Sequence, residues 1–321
     1  MNPDVVAAVE RLSAANVLSP GQAALLGRVA RRGLVSVRLE IRMLLYAGVL
    51  LLTSGIGLLV VKHHQDLGPW VITGSIGIAA AACLAWVARA APAFSWSEVS
   101  PPTVAFDYVL LLGLLLLASG LAYVEAQFTV LGPRWGHHLL VVGVVYLLAA
   151  YRWDSRTVLG LGLTTLAAWR GVSVSLTSGS LGTGDPGELR ASALALGALY
   201  VALAALVVRR QWKAHFEPVY GVAGLLLLLG ALVSGALDAP SGRGAWLLAL
   251  LAATAFVMWA SFRLGRSVYF ALGVLAAYGG LLRTLFVPFG RVRSVPLLLA
   301  AILALGALAL IFAAHRRMSE R

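Results

Sequence analysis

Hydrophobic and polar positions along this chain alternate by whole segments, not by single residues. Ten apolar runs lie at roughly 43–61, 70–88, 105–124, 137–151, 157–176, 191–208, 219–237, 245–262, 267–287 and 295–314. Each is near the ~20 residues an α-helix needs to cross about 30 Å of hydrocarbon, and the fourth is the shortest. Polar residues collect in brief connections between them. Two connections are longer: 89–104, with Pro92, Pro101 and Pro102, and 177–190, rich in Gly, Ser and Thr. The pattern predicts an all-α, polytopic integral membrane protein of about ten transmembrane helices. The transmembrane domain occupies 43–321, with helices over 43–176 and 191–314 parted by the Gly/Ser/Thr-rich external loop.

Residues 1–42 follow a different pattern. Asp4 to Ala15 places Val5, Val6, Val9 and Leu12 on one helical face. Ser19-Pro20-Gly21-Gln22 then reads as a helix start, with Ser at the N-cap, Pro at N1 and Gln at N3, the spacing of a capping box. Two helices this short bury too little to fold alone. They are expected to be a cytoplasmic amphipathic pair that packs on itself, on the membrane surface or on a partner. Asp4 and Glu10 precede the first long apolar run, so that run is expected to stay as an uncleaved anchor.

Composition agrees with the pattern. Of 321 residues, 60% are hydrophobic and 12% charged. A core of this length cannot hide so many apolar side chains and still present a wetted surface. A soluble enzyme, a nucleic-acid-binding domain and a disordered chain are excluded. The net charge of +12 is carried almost wholly by arginine, in short groups between apolar runs. Roughly two-thirds of the 25 Lys and Arg residues fall on one side if the N-terminus is inside. Both termini are therefore expected in the cytoplasm. No nucleic-acid partner is expected, because the basic residues form no clustered face with interleaved aromatics.

Similar stretches recur. Tyr46, Thr53-Ser54-Gly55 and Leu67-Gly68-Pro69-Trp70 are echoed by Tyr108, Ala118-Ser119-Gly120 and Leu131-Gly132-Pro133-Arg134-Trp135. A weaker third copy runs through Tyr220, Val233-Ser234-Gly235 and Gly244-Ala245-Trp246. Tyr151-Arg152-Trp153-Asp154-Ser155-Arg156 is answered by Phe262-Arg263-Leu264-Gly265-Arg266. These echoes predict parallel helical-hairpin repeats starting at the first, third and seventh spans.

Chemistry-bearing residues are few. Charge inside a membrane is costly and so marks candidate sites. Arg170 and Arg283 lie in the outer halves of the fifth and ninth spans, and Glu125 and Asp238 close the outer ends of the third and seventh. They are read either as two structural ion pairs, Glu125–Arg170 and Asp238–Arg283, or as a ligand-binding group facing an external cavity. His63-His64 and His137-His138 fall on the external side and offer nitrogen ligands to a metal, although no metal-helix spacing is present. Asp107 and Asp154 at cytoplasmic boundaries are expected to be paired or hydrated. Cys83 is the sole cysteine and reads as a buried structural thiol. Tryptophans at helix ends form an interfacial belt. There is no nucleophile elbow, no nucleotide-binding loop and no carboxylate pair within one span, so no cofactor and no catalytic residue is assigned, and an enzyme is disfavoured.

The residues Leu18-Ser19-Pro20-Gly21-Gln22-Ala23, Leu44-Leu45-Tyr46-Ala47-Gly48-Val49-Leu50 and Ser54-Gly55-Ile56-Gly57-Leu58 resemble an uncharacterised group of bacterial predicted membrane proteins, a domain of unknown function. The resemblance covers about the first 90 residues. It implies a bacterial inner-membrane location and supplies no activity. Two functions are then expected. One is a transporter or lipid- or solute-handling protein with an outward-facing cavity. The other is a non-catalytic structural or assembly subunit that docks a membrane or cytoplasmic protein through its spans and N-terminal helices. The transporter reading needs a polar path, yet the span centres are Leu, Ala, Val and Gly with few exceptions such as Thr164 and Thr165.

Overall fold

The computed structural model describes residues 38–177, 185–238, 242–286 and 294–319, with isolated positions between 11 and 26. Two of those isolated positions bear on the N-terminal reading. The Ser19 N–H donates to Gln22 Oε1 at 3.0 Å and the Gln22 N–H donates to Ser19 Oγ at 3.3 Å. This is the reciprocal capping box expected from the sequence. Residues 11–14, 21, 22 and 26 are helical, and the rest of the expected helix pair lies outside the described residues.

Ten long helices follow among the described residues, and no strand. They are α1 (Arg38–Leu67), α2 (Pro69–Ala90), α3 (Val104–Phe128), α4 (His137–Trp153), α5 (Arg156–Thr177), α6 (Pro186–Arg210), α7 (Glu217–Asp238), α8 (Arg243–Leu264), α9 (Ser267–Phe286) and α10 (Ser294–Ser319). Each apolar run of the sequence falls on one of them. The protein is thus a helical membrane protein. Among the described residues, five stretches are long and apolar enough to cross a membrane by length and composition: Pro69–Ala90, Ala105–Phe128, Pro186–Arg210, Ala214–Leu237 and Gly244–Leu264.

Helix ends are set by local chemistry. α6 begins five residues before the expected point because Asp185 is its N-cap and accepts the Gly187 N–H at 3.1 Å, with Pro186 in the first turn. α4 ends on Asp154 (φ 59°) and α8 on Gly265 (φ 65°), both left-handed, so each chain reverses within two residues. Gln211 (φ 54°) stops α6 in the same way. A left-handed cap frees the last carbonyls to accept from the turn and suits Gly or a small polar residue.

The chain divides into two compact units, Met1–His63 and His64–Arg321. Within the second, the closest antiparallel pairs are α2/α3, α4/α5, α6/α7 and α8/α9, and α7 also packs on α5, α8 and α9. The expected hairpins paired the first span with the second, the third with the fourth and the seventh with the eighth. Of the last two, α7/α8 is a substantial contact besides the four close pairs, and α3/α4 is slight. Small residues decide the partners. A Cβ on Gly113 of α3 would stand 2.9 Å from Cys83 Cβ of α2, and one on Gly224 of α7 would stand 2.9 Å from the Gly197 carbonyl oxygen of α6. Such approach is what glycine permits between membrane helices. Ser234-Gly235 of α7 does meet the tryptophan of its repeat, since a Cβ there would lie 2.4 Å from the Trp246 ring.

Phe106, Leu110, Leu114, Tyr146, Leu159, Tyr200 and Tyr220 form the main core across α3 to α7. Two core hydroxyls are satisfied across helices: Tyr146 Oη donates to the Leu114 carbonyl at 3.2 Å and Tyr200 Oη to the Leu163 carbonyl at 2.9 Å. In a low-dielectric interior each such bond removes the penalty of a stranded polar group.

Candidate functional site

The connections 91–103, 154–155, 211–216 and 265–266 gather at one end of the helices, and Asp154 ties three of them. Its Oδ2 accepts the Val99 N–H at 2.5 Å, and its Oδ1 meets His215 Nε2 at 2.5 Å and Lys213 Nζ at 3.1 Å. The Asp154 side chain is 4% exposed and that of Lys213 1%. The Lys213 ammonium also sits 5.3 Å from the Phe94 ring centre and 6.0 Å from that of Phe216. Its backbone N–H donates to the Trp96 carbonyl at 2.9 Å, and Trp96 stacks on Trp212. A buried charge persists only when paired and hydrogen-bonded, and here the donors on Asp154 come from two other connections, 91–103 and 211–216. This end is called the knot end.

Two residues past His215 the chain faces another way. Glu217 opens α7, and its carboxylate accepts from Arg266 Nη2 at 2.8 Å and from Tyr269 Oη at 2.5 Å. Gly221, one turn on, makes room for that hydroxyl, because a Cβ there would fall 2.0 Å from Tyr269 Oη. The group closes the knot end of a cavity of about 540 Å³. Its walls are Val201, Ala204, Ala205, Val208 and Arg209 of α6, and Phe256, Val257, Ala260 and Leu264 of α8. Gly221 and Leu225 of α7 form the floor, with Arg266 and Tyr269 of α9. α6 and α8 flank α7 without close contact with each other, so the cavity opens sideways, past exposed Val208, Phe256 and Leu264.

The dimensions carry chemical meaning. The lining stretches 201–209, 217–225 and 256–264 each advance about 12 Å at ~1.5 Å per residue. One leaflet of hydrocarbon is about 15 Å deep. The slot is therefore nearly as long as a leaflet is deep, apolar along its length and charged at one end. Its volume is that of a small-molecule site, about 300–1,000 Å³. At the charged end Glu217 neutralises Arg266, while Arg209 has no carboxylate in salt-bridge reach among the described residues. The surplus is one positive charge.

The residues singled out from the sequence lie elsewhere. Arg170 is exposed on α5, about 21 Å from its start at ~1.5 Å per residue, and so toward the end opposite the knot. It makes no ion pair with Glu125: that carboxylate accepts the Leu131 N–H at 3.2 and 2.9 Å and so closes the turn after α3. The expected Glu125–Arg170 bridge is thus replaced by a local cap. The side chains of Arg283 and Asp238, and those of His63 and His64, lie outside the described residues. His137 Nδ1 faces the Arg134 carbonyl at 3.0 Å and His138 Nδ1 the Trp135 carbonyl, so both rings are engaged by their own turn. Among the described residues no three His, Cys, Asp or Glu side chains come together as a metal site. Thr164 and Thr165 bond back to carbonyls of their own helix and supply no polar path. Asp154 is paired as expected, although its partner is Lys213 of a distant connection. Arg190, buried at the start of α6 and bonded to Ser234 Oγ at 3.1 Å, was not foreseen. Nor were Lys213, His215, Glu217 or Tyr269. One faint signal existed: Lys213 is one of two lysines in an arginine-rich chain.

Residues 10–159 match a family described as "Predicted membrane protein (DUF2157)", whose function is unknown. The match extends well past the first 90 residues on which the resemblance was drawn. No curated protein and no solved structure matches the chain.

Proposed function

We propose that the protein handles single amphiphilic lipid molecules, holding an acyl chain in the lateral cavity between α6 and α8 with an anionic head group at Arg209. The observation that carries this reading is the coincidence of three features in one slot. It opens sideways between α6 and α8, its length is close to the depth of one leaflet, and its charged end holds one guanidinium in excess. Basic pockets at helix ends favour anionic lipid heads. The reading includes ten membrane-crossing helices in a bacterial inner membrane, with both termini in the cytoplasm. The knot end then faces the cytoplasm, where the arginine bias assigns it, and the cavity serves the inner leaflet. This departs from the outward-facing cavity expected around Arg170 and Arg283.

The test is lipid retention by the full chain purified in a mild neutral detergent and titrated with phosphatidylglycerol or phosphatidylcholine, read by native mass spectrometry. Phosphatidylglycerol is expected to be retained more strongly. Ala260→Trp, which fills the slot, abolishes that retention. Arg209→Gln removes the preference between the two lipids. Leu303→Trp on α10, at an exposed position, leaves both unchanged. Equal retention by wild type and Ala260→Trp overturns the proposal.

A further inference from the structure

A second cavity, about 270 Å³, lies between α2, α3 and α4, and its walls correspond in register to those of the first. Four pairs of features are separated by a constant 111 residues. The left-handed caps Asp154 and Gly265 end α4 and α8. Trp135 and Trp246 precede and enter these helices. Gly162 of α5 packs on Leu147 and Tyr146 of α4, and Gly273 of α9 packs on Met258 and Val257 of α8. Gly113 of α3 abuts Leu84 of α2, and Gly224 of α7 abuts Val201 of α6. The helices α2 and α6 open the two series, each with proline in its first turn, and their register differs by 117, which aligns Pro69 with Pro186 and Leu84 with Val201. In this register Ser119-Gly120 corresponds to Gly230-Ala231, so the Ser-Gly echo seen in the sequence is one helical turn out of step with the packing. Leu281, not Arg283, stands at the equivalent of Arg170.

The cavities obey the same register. Leu84, Leu114, Val145, Ala149 and Trp153 line the second cavity. Their equivalents, Val201, Leu225, Phe256, Ala260 and Leu264, all line the first. Each cavity also carries arginine at its knot-end rim, Arg152 in one and Arg209 with Arg266 in the other. Chance similarity among Leu-rich helices explains recurrent sequence, but not the same glycine contacts and the same cavity walls at one offset.

We infer that α2–α5 and α6–α9 are two copies of one four-helix unit running in the same direction, and that the smaller cavity is a second site for the same ligand class, an acyl chain of a phospholipid with an anionic head. This rests on the reading of the first cavity as a lipid site. The copies differ where the head group sits: α2–α5 lacks the Glu217–Arg266–Tyr269 group, since Phe106, Ser155 and Val158 stand at the equivalents of those residues and Leu110 at that of Gly221.

The experiment uses the full chain in neutral detergent with phosphatidylglycerol carrying a photoactivatable diazirine in one acyl chain, with adducts mapped by peptide mass spectrometry. Two saturable adducts are expected, one on α4 near Val145 and Leu148 and one on α8 near Phe256. Ala149→Phe abolishes the α4 adduct alone, and Ala260→Phe the α8 adduct alone. Where Ala149→Phe fails to fold, Val145→Trp replaces it, because Val145 is only half-buried. A saturable adduct on α8 with none on α4 overturns the second site while leaving the first standing. Saturation at neither position overturns both.

Discussion

Removing the Asp154 carboxylate strands the Lys213 ammonium in a place with almost no access to water, since Lys213 is 1% exposed. Breaking one side of a buried ion pair costs about 3–5 kcal/mol, whereas replacing both charges by apolar groups is near neutral. Asp154→Ala also leaves the Val99 N–H without its acceptor, a further loss of ~1–3 kcal/mol if the group stays buried. At about 2–4 °C per kcal/mol for a domain of comparable size, the midpoint of thermal unfolding should fall by on the order of 10 °C. Lys213→Met is milder, because Asp154 keeps the His215 ring and the Val99 N–H. The double variant Asp154→Ala/Lys213→Met should be more stable than Asp154→Ala alone. The assay is a double-mutant cycle, with unfolding of detergent-solubilised protein followed by size-exclusion after heating. Additive losses in the double variant, with no coupling between the sites, would refute the reasoning.

Further consequences are open to measurement. Gly143→Ala drives a Cβ to 2.6 Å from Leu166 Cδ2, whereas Gly230→Ala meets nothing within 4 Å; the first should destabilise by ~1–3 kcal/mol and the second should be neutral or better, and equal stabilities count against the packing described. Gly221→Ala should push Tyr269 off Glu217 and weaken phosphatidylglycerol retention to the level of Tyr269→Phe; full retention in Gly221→Ala removes that hydroxyl from the site. In a Cys83→Ser background, Ser97→Cys should react with a membrane-impermeant maleimide only from the cytoplasmic side and Thr129→Cys only from the outside. The reverse labelling inverts the proposed orientation.

Helix positions were legible because burial in hydrocarbon leaves a long, continuous apolar signature, and all ten runs coincide with helices. The start of α6 was missed because Asp185-Pro186-Gly187-Glu188 lies in polar company, although its order is that of a capped helix start. Partners were less legible than helices. Hydropathy says nothing of which helices touch, and the close pairs depend on glycines such as Gly113 and Gly224 meeting particular neighbours. The charged groups show the same limit. Glu125 and Arg170 look like a pair when counted along the chain, yet a backbone N–H six residues away satisfies Glu125 first. Asp154 finds its partners 59 and 61 positions on, across a connection whose geometry depends on left-handed Gln211 and Lys213. The cavity follows from a gap between α6 and α8, and a gap leaves no residue pattern of its own.

The most direct test of the lipid-handling reading is a density map of the full chain in nanodiscs containing phosphatidylglycerol. The account predicts acyl-chain density between α6 and α8, lying over Gly221 and Leu225 and ending in a head group beside Arg209. A map in which α6 and α8 pack together over α7, leaving no slot, contradicts it.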